Sequence, residues 1–251
     1  MTKKQNLLWK ASIAFAVLFS VAPVSNAMHI MEGYLPPSWC VAWGAVCLPF
    51  LIAGFFSIQK ILKQNRKALL LLAMSGAFVF VISSLKIPSV TGSCSHMTGT
   101  GLAAILFGPG VAGVLGLIVL LFQAILLGHG GLTTLGANTF SMAVAGPLAA
   151  FAVYRLGKKL KWNRKAAVFC AAFVGDLFTY CVTSLQLAIA YPSEAGGIGA
   201  SAVKFLGIFA PTQLPLAVME GLLTVIILVA LESYAKPELK AVGFLKEEVQ
   251  G

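Results

Sequence analysis

The chain alternates long apolar runs with short polar connections along most of its length. The runs lie at about residues 39–58, 68–86, 111–128, 135–154, 166–190 and 205–232. Each run is close to the ~20 residues that an α-helix needs to cross the hydrocarbon core of a bilayer. The pattern therefore predicts an all-α protein that crosses the membrane several times, with no soluble domain and no long linker.

The composition and the placement of charge agree with a membrane protein. Hydrophobic residues make up 59% of the chain and charged residues only 10%, whereas about 25% charged residues are usual in soluble domains. The formal net charge is +10, but the lysines and arginines cluster in the short connections between apolar runs. Because this distribution is typical of cytoplasmic loops, it indicates membrane topology and not nucleic-acid binding.

The first 27 residues have the three parts of a secretory signal peptide. A basic region precedes the apolar stretch 11–22, and a small-residue cleavage site ends at Ala27. The alternative is an uncleaved transmembrane anchor, but the stretch is short for an anchor and Pro23 interrupts it. We predict cleavage after Ala27, with residues 1–27 as signal peptide and residues 28–251 as a membrane domain that begins on the outer face.

The basic connections allow the number of crossings to be counted. A connection at 60–67 and another at 155–165 are rich in lysine and arginine, so both are predicted to be cytoplasmic. An odd number of crossings must then lie between the outer loop 87–97 and the second basic connection, yet only two long runs are visible. We assign the missing crossing to 98–107, a short or broken helix that is tolerated where protein surrounds it. About seven transmembrane helices result, with the C-terminus in the cytoplasm.

This topology places all three histidines of the chain on the outer side. After cleavage, Met28 would carry a free amine one residue before His29. That amine, the deprotonated backbone amide of His29 and its imidazole can close two fused chelate rings on one metal ion. His96, in a polar outer loop, is the candidate for the fourth position. Planar nitrogen sites suit Ni(II) and Cu(II) and accommodate Co(II), although both histidines could instead be ordinary polar loop residues.

Other polar residues near these histidines are candidates to line the site. Cys94 and Ser95 share the loop of His96, and Cys94 would favour softer metals if it bound the ion. We expect His129, in a glycine-rich stretch, to pack against the metal-binding groups and not to bind the ion itself. Asn138 and Gln123 lie in apolar surroundings and are expected to hydrogen-bond to backbone or to groups of the site.

Two acidic residues, Asp176 and Glu220, fall midway along apolar runs. Ionisable residues within a membrane span are rare and are usually functional or paired. Three roles remain open for them at this point: tuning a cavity, contacting a partner, or hydrogen-bonding inside the bundle.

The sequence carries no motif for nucleotide hydrolysis or for common hydrolases. There is no G-x-x-x-x-G-K-[ST] loop, no H-E-x-x-H and no G-x-S-x-G. An energised transport role would therefore need partner subunits. A membrane metalloenzyme that uses His29, His96 and Asp176 is the alternative from another class. A passive channel is disfavoured because a four-nitrogen chelate holds its ion too tightly for fast conduction.

Four segments resemble signatures of the CbiM family of cobalt-transport proteins. They are 28–37 (MHIMEGYLPP), 85–96 (LKIPSVTGSCSH), 107–110 (FGPG) and 128–138 (GHGGLTTLGAN). The resemblance extends to about residue 232. One departure is Met97, where a proline would be expected after the histidine.

The resemblance implies that the chain is the substrate-specific component of an energy-coupling-factor transporter in the inner (plasma) membrane, and not an enzyme. Such a component imports Co²⁺ for cobalamin biosynthesis together with a transmembrane coupling subunit, a small membrane subunit and a cytoplasmic ATPase (of the CbiQ, CbiN and CbiO type). The implied ligands are the amine and amide of Met28 and His29, the His29 imidazole, and His96. Nickel-transport relatives share this chelate, so Ni²⁺ is the alternative substrate.

Overall fold

A computed structural model describes residues 26–27, 29–88 and 93–245, and helices dominate it. The helices are α1 (Pro37–Gln64), α2 (Ala68–Ser84), α3 (Thr100–Phe107), α4 (Pro109–Leu127), α5 (Leu135–Lys159), α6 (Arg164–Ala190), α7 (Gly197–Tyr234) and α8 (Lys236–Ala241). Five of these described helices, α1 and α4 to α7, are long and apolar enough to cross a membrane, and α2 is a shorter apolar helix. The predicted class of all-α multi-pass membrane protein is confirmed.

Two predictions made from the sequence concern residues that lie outside the described ranges. The proposed signal peptide lies outside the described residues except for Asn26 and Ala27, and Met28 lies outside them too. Cleavage after Ala27, and the domain boundary that it would create, stay predictions.

The short helix α3 lies inside the bundle, surrounded by protein as expected, while its role as a membrane crossing stays a prediction. Every residue of α3 from Thr100 to Leu106 is buried. A Cβ atom added at Gly101 would lie 3.0 Å from the Cα of Ala172 on α6, so the two helices approach closely there. Because protein surrounds α3, its eight residues do not have to span the bilayer as a lipid-facing helix.

Large apolar side chains cover much of the outer surface of the bundle. Val41, Phe56, Leu126 and Val203 are each at least 60% exposed. In water such a surface would be unfavourable, whereas in a bilayer lipid chains cover it. Helix α1 lies at the periphery of the bundle, since only 11% of the residues in its most apolar stretch are buried.

A small three-stranded sheet is present that the sequence analysis did not predict. It consists of β1 (Asn26–Ala27), β2 (Lys86–Pro88) and β3 (Ser93–His96), with β1 parallel and β2 antiparallel to β3. Strands of two to four residues are too short to show an alternating pattern of apolar and polar residues. The sheet nevertheless matters, because β3 carries His96 from the loop into the bundle.

The histidines and many of the basic connections lie at opposite ends of the bundle. A cavity of about 390 Å³ is lined by Lys60 and Gln64 from the end of α1, Phe107 from the end of α3, and Arg155 from α5. These are the ends remote from the sheet. The two basic connections thus lie at the same end of the bundle, as predicted from the sequence. The side of the membrane that each end faces stays a prediction.

Helix α5 widens into a π-helical stretch, Thr139–Ala145, immediately after Asn138. This stretch packs tightly on α4, since a Cβ atom at Gly116 would lie 2.6 Å from the Cβ of Ala143. Small residues at such contacts let membrane helices approach closely. π-Helical turns are rare and often occur at functional sites, and this one begins beside the histidine cluster described below.

Candidate metal site

The chain that leads into α1 folds back against the bundle. Ile30 and Leu35 are buried and belong to one apolar cluster with Ala137 of α5 and Leu187 of α6. Burying an apolar side chain of this size contributes roughly 1.5–3 kcal/mol. These two anchors hold the segment in place and bring His29, next to Ile30, into the interior.

Asn138 fixes the backbone of Ile30 on both sides. Its Oδ1 accepts a hydrogen bond from the Ile30 N–H at 2.8 Å, and its Nδ2 donates to the Ile30 carbonyl at 3.0 Å. The hydroxyl of Thr134 donates to the same carbonyl at 2.6 Å. This agrees with the expectation that Asn138 bonds to backbone, and it sets the position of the residue that follows His29.

The glycine-rich loop between α4 and α5 passes close to the same segment. Gly130 has φ +78°, a conformation that favours glycine, and a Cβ atom there would lie 3.5 Å from the His29 ring. At Gly131 a Cβ atom would lie 2.5 Å from the Cα of Glu32. Only residues without a side chain allow this approach, and it brings His129 against the ring of His29.

The ring of His29 is oriented by a hydrogen-bond chain that starts on α2. The hydroxyl of Ser83 donates to the Val79 carbonyl, so it accepts from Gln123 Nε2, which lies 2.7 Å away. The other end of the Gln123 amide, Oε1, therefore faces His29 Nε2 at 3.2 Å. Because Oε1 can only accept, Nε2 of His29 carries the proton and Nδ1 has a free lone pair.

The ring of His96 is oriented by the residue that follows it, just after β3. Its Nδ1 lies 2.8 Å from the carbonyl of Met97, which can only accept a hydrogen bond. Nδ1 of His96 therefore carries the proton, and Nε2 has the free lone pair.

These two lone pairs point at each other. His29 Nδ1 and His96 Nε2 are 3.3 Å apart, and both side chains are buried. Two facing acceptors repel unless a proton or a cation lies between them. Nitrogens bound to one ion at about 2.0–2.1 Å each can be at most about 4.2 Å apart, so this separation suits two ligands of the same ion.

His129 completes a cluster of three buried imidazoles. Its ring stacks on that of His29 with centroids 4.5 Å apart, and its centroid is 5.0 Å from that of His96. One ligand nitrogen from each of the three rings can be chosen so that all lie within 4.8 Å of one another. His129 Nε2 is buried and finds no hydrogen-bond partner within the described part of the chain.

The electrostatics of the cluster keep the imidazoles neutral. All three lie outside the membrane-spanning helices. Burial lowers the pKa of each, and for His96 the result is a pKa of about 4. The pKa of His29 is lowered by burial and then by His96, and that of His129 by burial and then by both other histidines. Neutral imidazoles are the form that binds metal ions.

The remaining predicted site residues are placed differently. Ser95 Oγ lies 2.7 Å from Thr212 Oγ1 on α7, so Ser95 ties β3 to that helix. Cys94 belongs to β3, but its side chain is outside the described part, as is all of Met28. Their roles at the site stay predictions.

The structure answers the open question about the two buried acids, and it adds residues that the sequence analysis missed. Glu220 accepts hydrogen bonds from Thr98, and Asp176 accepts one from Gln213. Both acids thus hydrogen-bond inside the bundle. Thr98 and Gln213 were missed because their partners lie far away in the sequence, although acids within apolar runs pointed to polar partners there.

Comparison with known proteins gives one consistent result. Residues 29–239 match the family model CbiM, described as "Cobalt uptake substrate-specific transmembrane region". The cobalt transport protein CbiM of Lachnoclostridium phytofermentans is 64% identical over 245 residues, which cover 98% of each chain. The protein of the same name from Chlorobium limicola is 60% identical over 236 residues, 94% of this chain and 93% of that one.

Two crystal structures of transition-metal transporters share the fold. One, of a truncated transporter, has a TM-score of 0.72 at 26% identity and covers 82% of this chain and 99% of its own. The other has a TM-score of 0.68 at 28% identity and covers 82% of this chain and 92% of its own.

Proposed function

The chain belongs to the CbiM family of cobalt-uptake substrate-specific transmembrane proteins, and from this premise we propose that it captures Co²⁺ for an energy-coupling-factor transporter. The ion would serve cobalamin biosynthesis. The family is a transport component and not an enzyme. The membrane-enzyme alternative also loses support because Asp176 bonds to Gln213 at 2.6 Å and does not belong to the histidine cluster.

One observation carries the proposal for the site: the unprotonated His29 Nδ1 faces the unprotonated His96 Nε2 at 3.3 Å in a buried place. Nδ1 is the ring nitrogen that can close a chelate ring with the backbone amide of its own residue. The proposed ligands are therefore the amine of Met28, the amide and Nδ1 of His29, and Nε2 of His96.

A second ligand set is possible, because His129 lies in the same cluster and its Nε2 has no hydrogen-bond partner among the residues that the structure describes. In this alternative, three imidazoles hold the ion and the amine of Met28 does not take part. Three neutral imidazoles suit several transition metals. The two ligand sets differ mainly in that only the first requires a free amine at Met28.

The remainder of the assembly is proposed from the family resemblance. The histidine end would face the outside of the inner membrane and the basic end the cytoplasm. The chain carries no nucleotide-binding loop, so the energy for release would come from a cytoplasmic ATPase. A transmembrane coupling subunit and a small membrane subunit would complete the transporter.

The deciding experiment compares purified protein whose N-terminus is Met28 with a form that has one alanine inserted before Met28. Mass spectrometry confirms each mature N-terminus, and Met28→Leu, which keeps the amine, is the matched control. With the amine chelate, bound metal falls sharply in the insertion form only, and cobalt outcompetes nickel in the native form. Equal binding by both forms would reject the amine and favour the three-imidazole set, in which His129→Ala then removes the metal. A preference for nickel would keep the site and reject cobalt as the substrate.

A further inference from the structure

Glu220, midway along α7, makes hydrogen bonds to the backbone and side chain of Thr98, and it also contacts the Gly99 backbone and Asp176. The Thr98 N–H donates to Oε2 at 2.5 Å, and the Thr98 hydroxyl donates to Oε1 at 2.9 Å. Both residues are fully buried. A carboxylate inside a membrane protein is costly unless its hydrogen bonds are satisfied, and here two of its partners come from the residue two positions after His96.

The bond to Thr98 reaches His96 through a single peptide group. The N–H of Thr98 and the carbonyl of Met97 belong to the same planar unit. That carbonyl accepts the hydrogen bond from His96 Nδ1 at 2.8 Å. Because the unit is rigid, an acceptor that fixes its N–H also fixes the direction of its carbonyl. A bond to the N–H also polarises the carbonyl and strengthens it as an acceptor.

A second side chain of α7, Gln213, contacts the backbone of His96 itself. Gln213 Nε2 donates to the His96 carbonyl at 3.2 Å and to Asp176 Oδ2 at 2.6 Å. The His96 carbonyl fixes the orientation of the Gln213 amide, since a carbonyl oxygen can only accept a hydrogen bond. Pro211 and Pro215 flank Gln213 within α7, and each proline lacks the N–H that would close a helical hydrogen bond.

We propose that Glu220 is a positioning residue of the metal site. Acting through the Met97–Thr98 peptide group, it keeps Nδ1 of His96 bonded to the carbonyl and directs Nε2 at His29. Many metal sites hold a ligand histidine by a carboxylate or carbonyl at its other nitrogen; here the carboxylate acts on the far side of the carbonyl. The inference rests on the proposed function, because it takes His96 to be a ligand of the ion.

The test uses Cu²⁺ as a spectroscopic probe, since planar nitrogen sites favour it, together with Co²⁺ affinity by competition. Protein whose mature N-terminus is Met28 is compared with its Glu220→Ala, Glu220→Gln and His96→Ala variants. Thr224→Val is the matched control, because Thr224 is one turn away on α7 and fully buried, and no hydrogen bond joins it to β3 among the described residues.

Glu220→Ala is expected to lower Co²⁺ affinity about ten- to a hundredfold. Its Cu²⁺ electron paramagnetic resonance spectrum should shift from a four-nitrogen pattern to that of His96→Ala. Glu220→Gln should keep the native spectrum because its carbonyl still accepts from the Thr98 N–H, and Thr224→Val should match the wild type. A purely structural role would lower protein yield or melting temperature without changing the number of bound nitrogens.

Glu220→Leu, which also removes both acceptor oxygens but fills the buried space, serves as a second variant if Glu220→Ala does not yield folded protein, and it should shift the spectrum in the same direction. A four-nitrogen spectrum with affinity within twofold of wild type in the folded alanine or leucine variant would overturn the positioning role. Failure of the proposed function looks different: wild-type protein would bind neither ion, or His29→Ala would bind both normally, and the role of Glu220 would fall with it.

Discussion

Proton placement on two imidazoles decides what the site can bind. Gln123 accepts a hydrogen bond from Nε2 of His29, and the Met97 carbonyl accepts one from Nδ1 of His96. The other ring nitrogen of each histidine therefore carries a lone pair, and these two nitrogens face each other. This is a property of single atoms, and it depends on Gln123 and Met97, which are not among the proposed metal ligands. Changes in such residues should therefore alter metal binding while the fold persists.

Replacing Gln123 by methionine should weaken metal binding about ten- to a hundredfold. The variant keeps a similar volume but loses the acceptor that holds the proton on His29 Nε2, so Nδ1 can become the protonated nitrogen. Competition titration with Co²⁺ measures the effect. Gln64→Met, at the opposite end of the bundle, is the control and should bind normally; equal affinities in the two variants would show that Gln123 does not orient the ring.

Replacing Asn138 by leucine should release the segment that carries His29. Two hydrogen bonds to Ile30 disappear: its carbonyl keeps the bond from Thr134, but its buried N–H loses its partner, which costs about 1–3 kcal/mol. Since 1.4 kcal/mol corresponds to about a tenfold change, Co²⁺ affinity should fall at least tenfold. Asn65→Leu in the connection after α1 is the matched control. Unchanged affinity in Asn138→Leu would mean that the apolar anchors alone hold the segment.

Between elements, the close contact of α4 with the π-helical part of α5 should set the stability of the bundle. Gly116→Ala places a Cβ atom 2.6 Å from that of Ala143, and overpacking of this kind costs about 1–3 kcal/mol. A melting temperature several degrees lower is expected. Gly207→Ala on α7 is the control, because no atom lies within 4 Å of the new Cβ, and it should leave melting unchanged or slightly raised. Equal melting of both variants would argue against tight packing here.

The elements differ in how far the sequence could predict them. The long helices follow from apolar runs, and the buried α3 follows from a topology that needed one more crossing. The strands β2 and β3 are too short to leave a pattern. Proximity of His29 to His96 could be expected from a shared side of the membrane. The contact of Glu220 with Thr98 could not, since 122 residues separate them and only the packing of α7 brings them together.

At the scale of the whole molecule, the two ends carry different chemistry, and this makes topology testable. Reporters fused after Gln64 and after Leu127 mark the basic end and the histidine end. Green fluorescent protein should fluoresce only in the fusion made after Gln64, and alkaline phosphatase should be active only in the fusion made after Leu127. This follows because the basic end is predicted to be cytoplasmic. The reverse pattern would place the histidine cluster inside the cell and contradict capture from outside.

The burial of the histidine cluster has a consequence for the speed of capture. His29, His96 and His129 are each at most 3% exposed, and Asn138 and Thr134 hold the segment around Ile30 next to them. An ion can reach these nitrogens only after that segment has moved aside, so opening precedes binding. In stopped-flow experiments the observed rate should rise with Co²⁺ concentration and then level off at the opening rate. Asn138→Leu should raise that plateau while it weakens affinity, and a rate that grows linearly at all concentrations would mean that the nitrogens are already accessible.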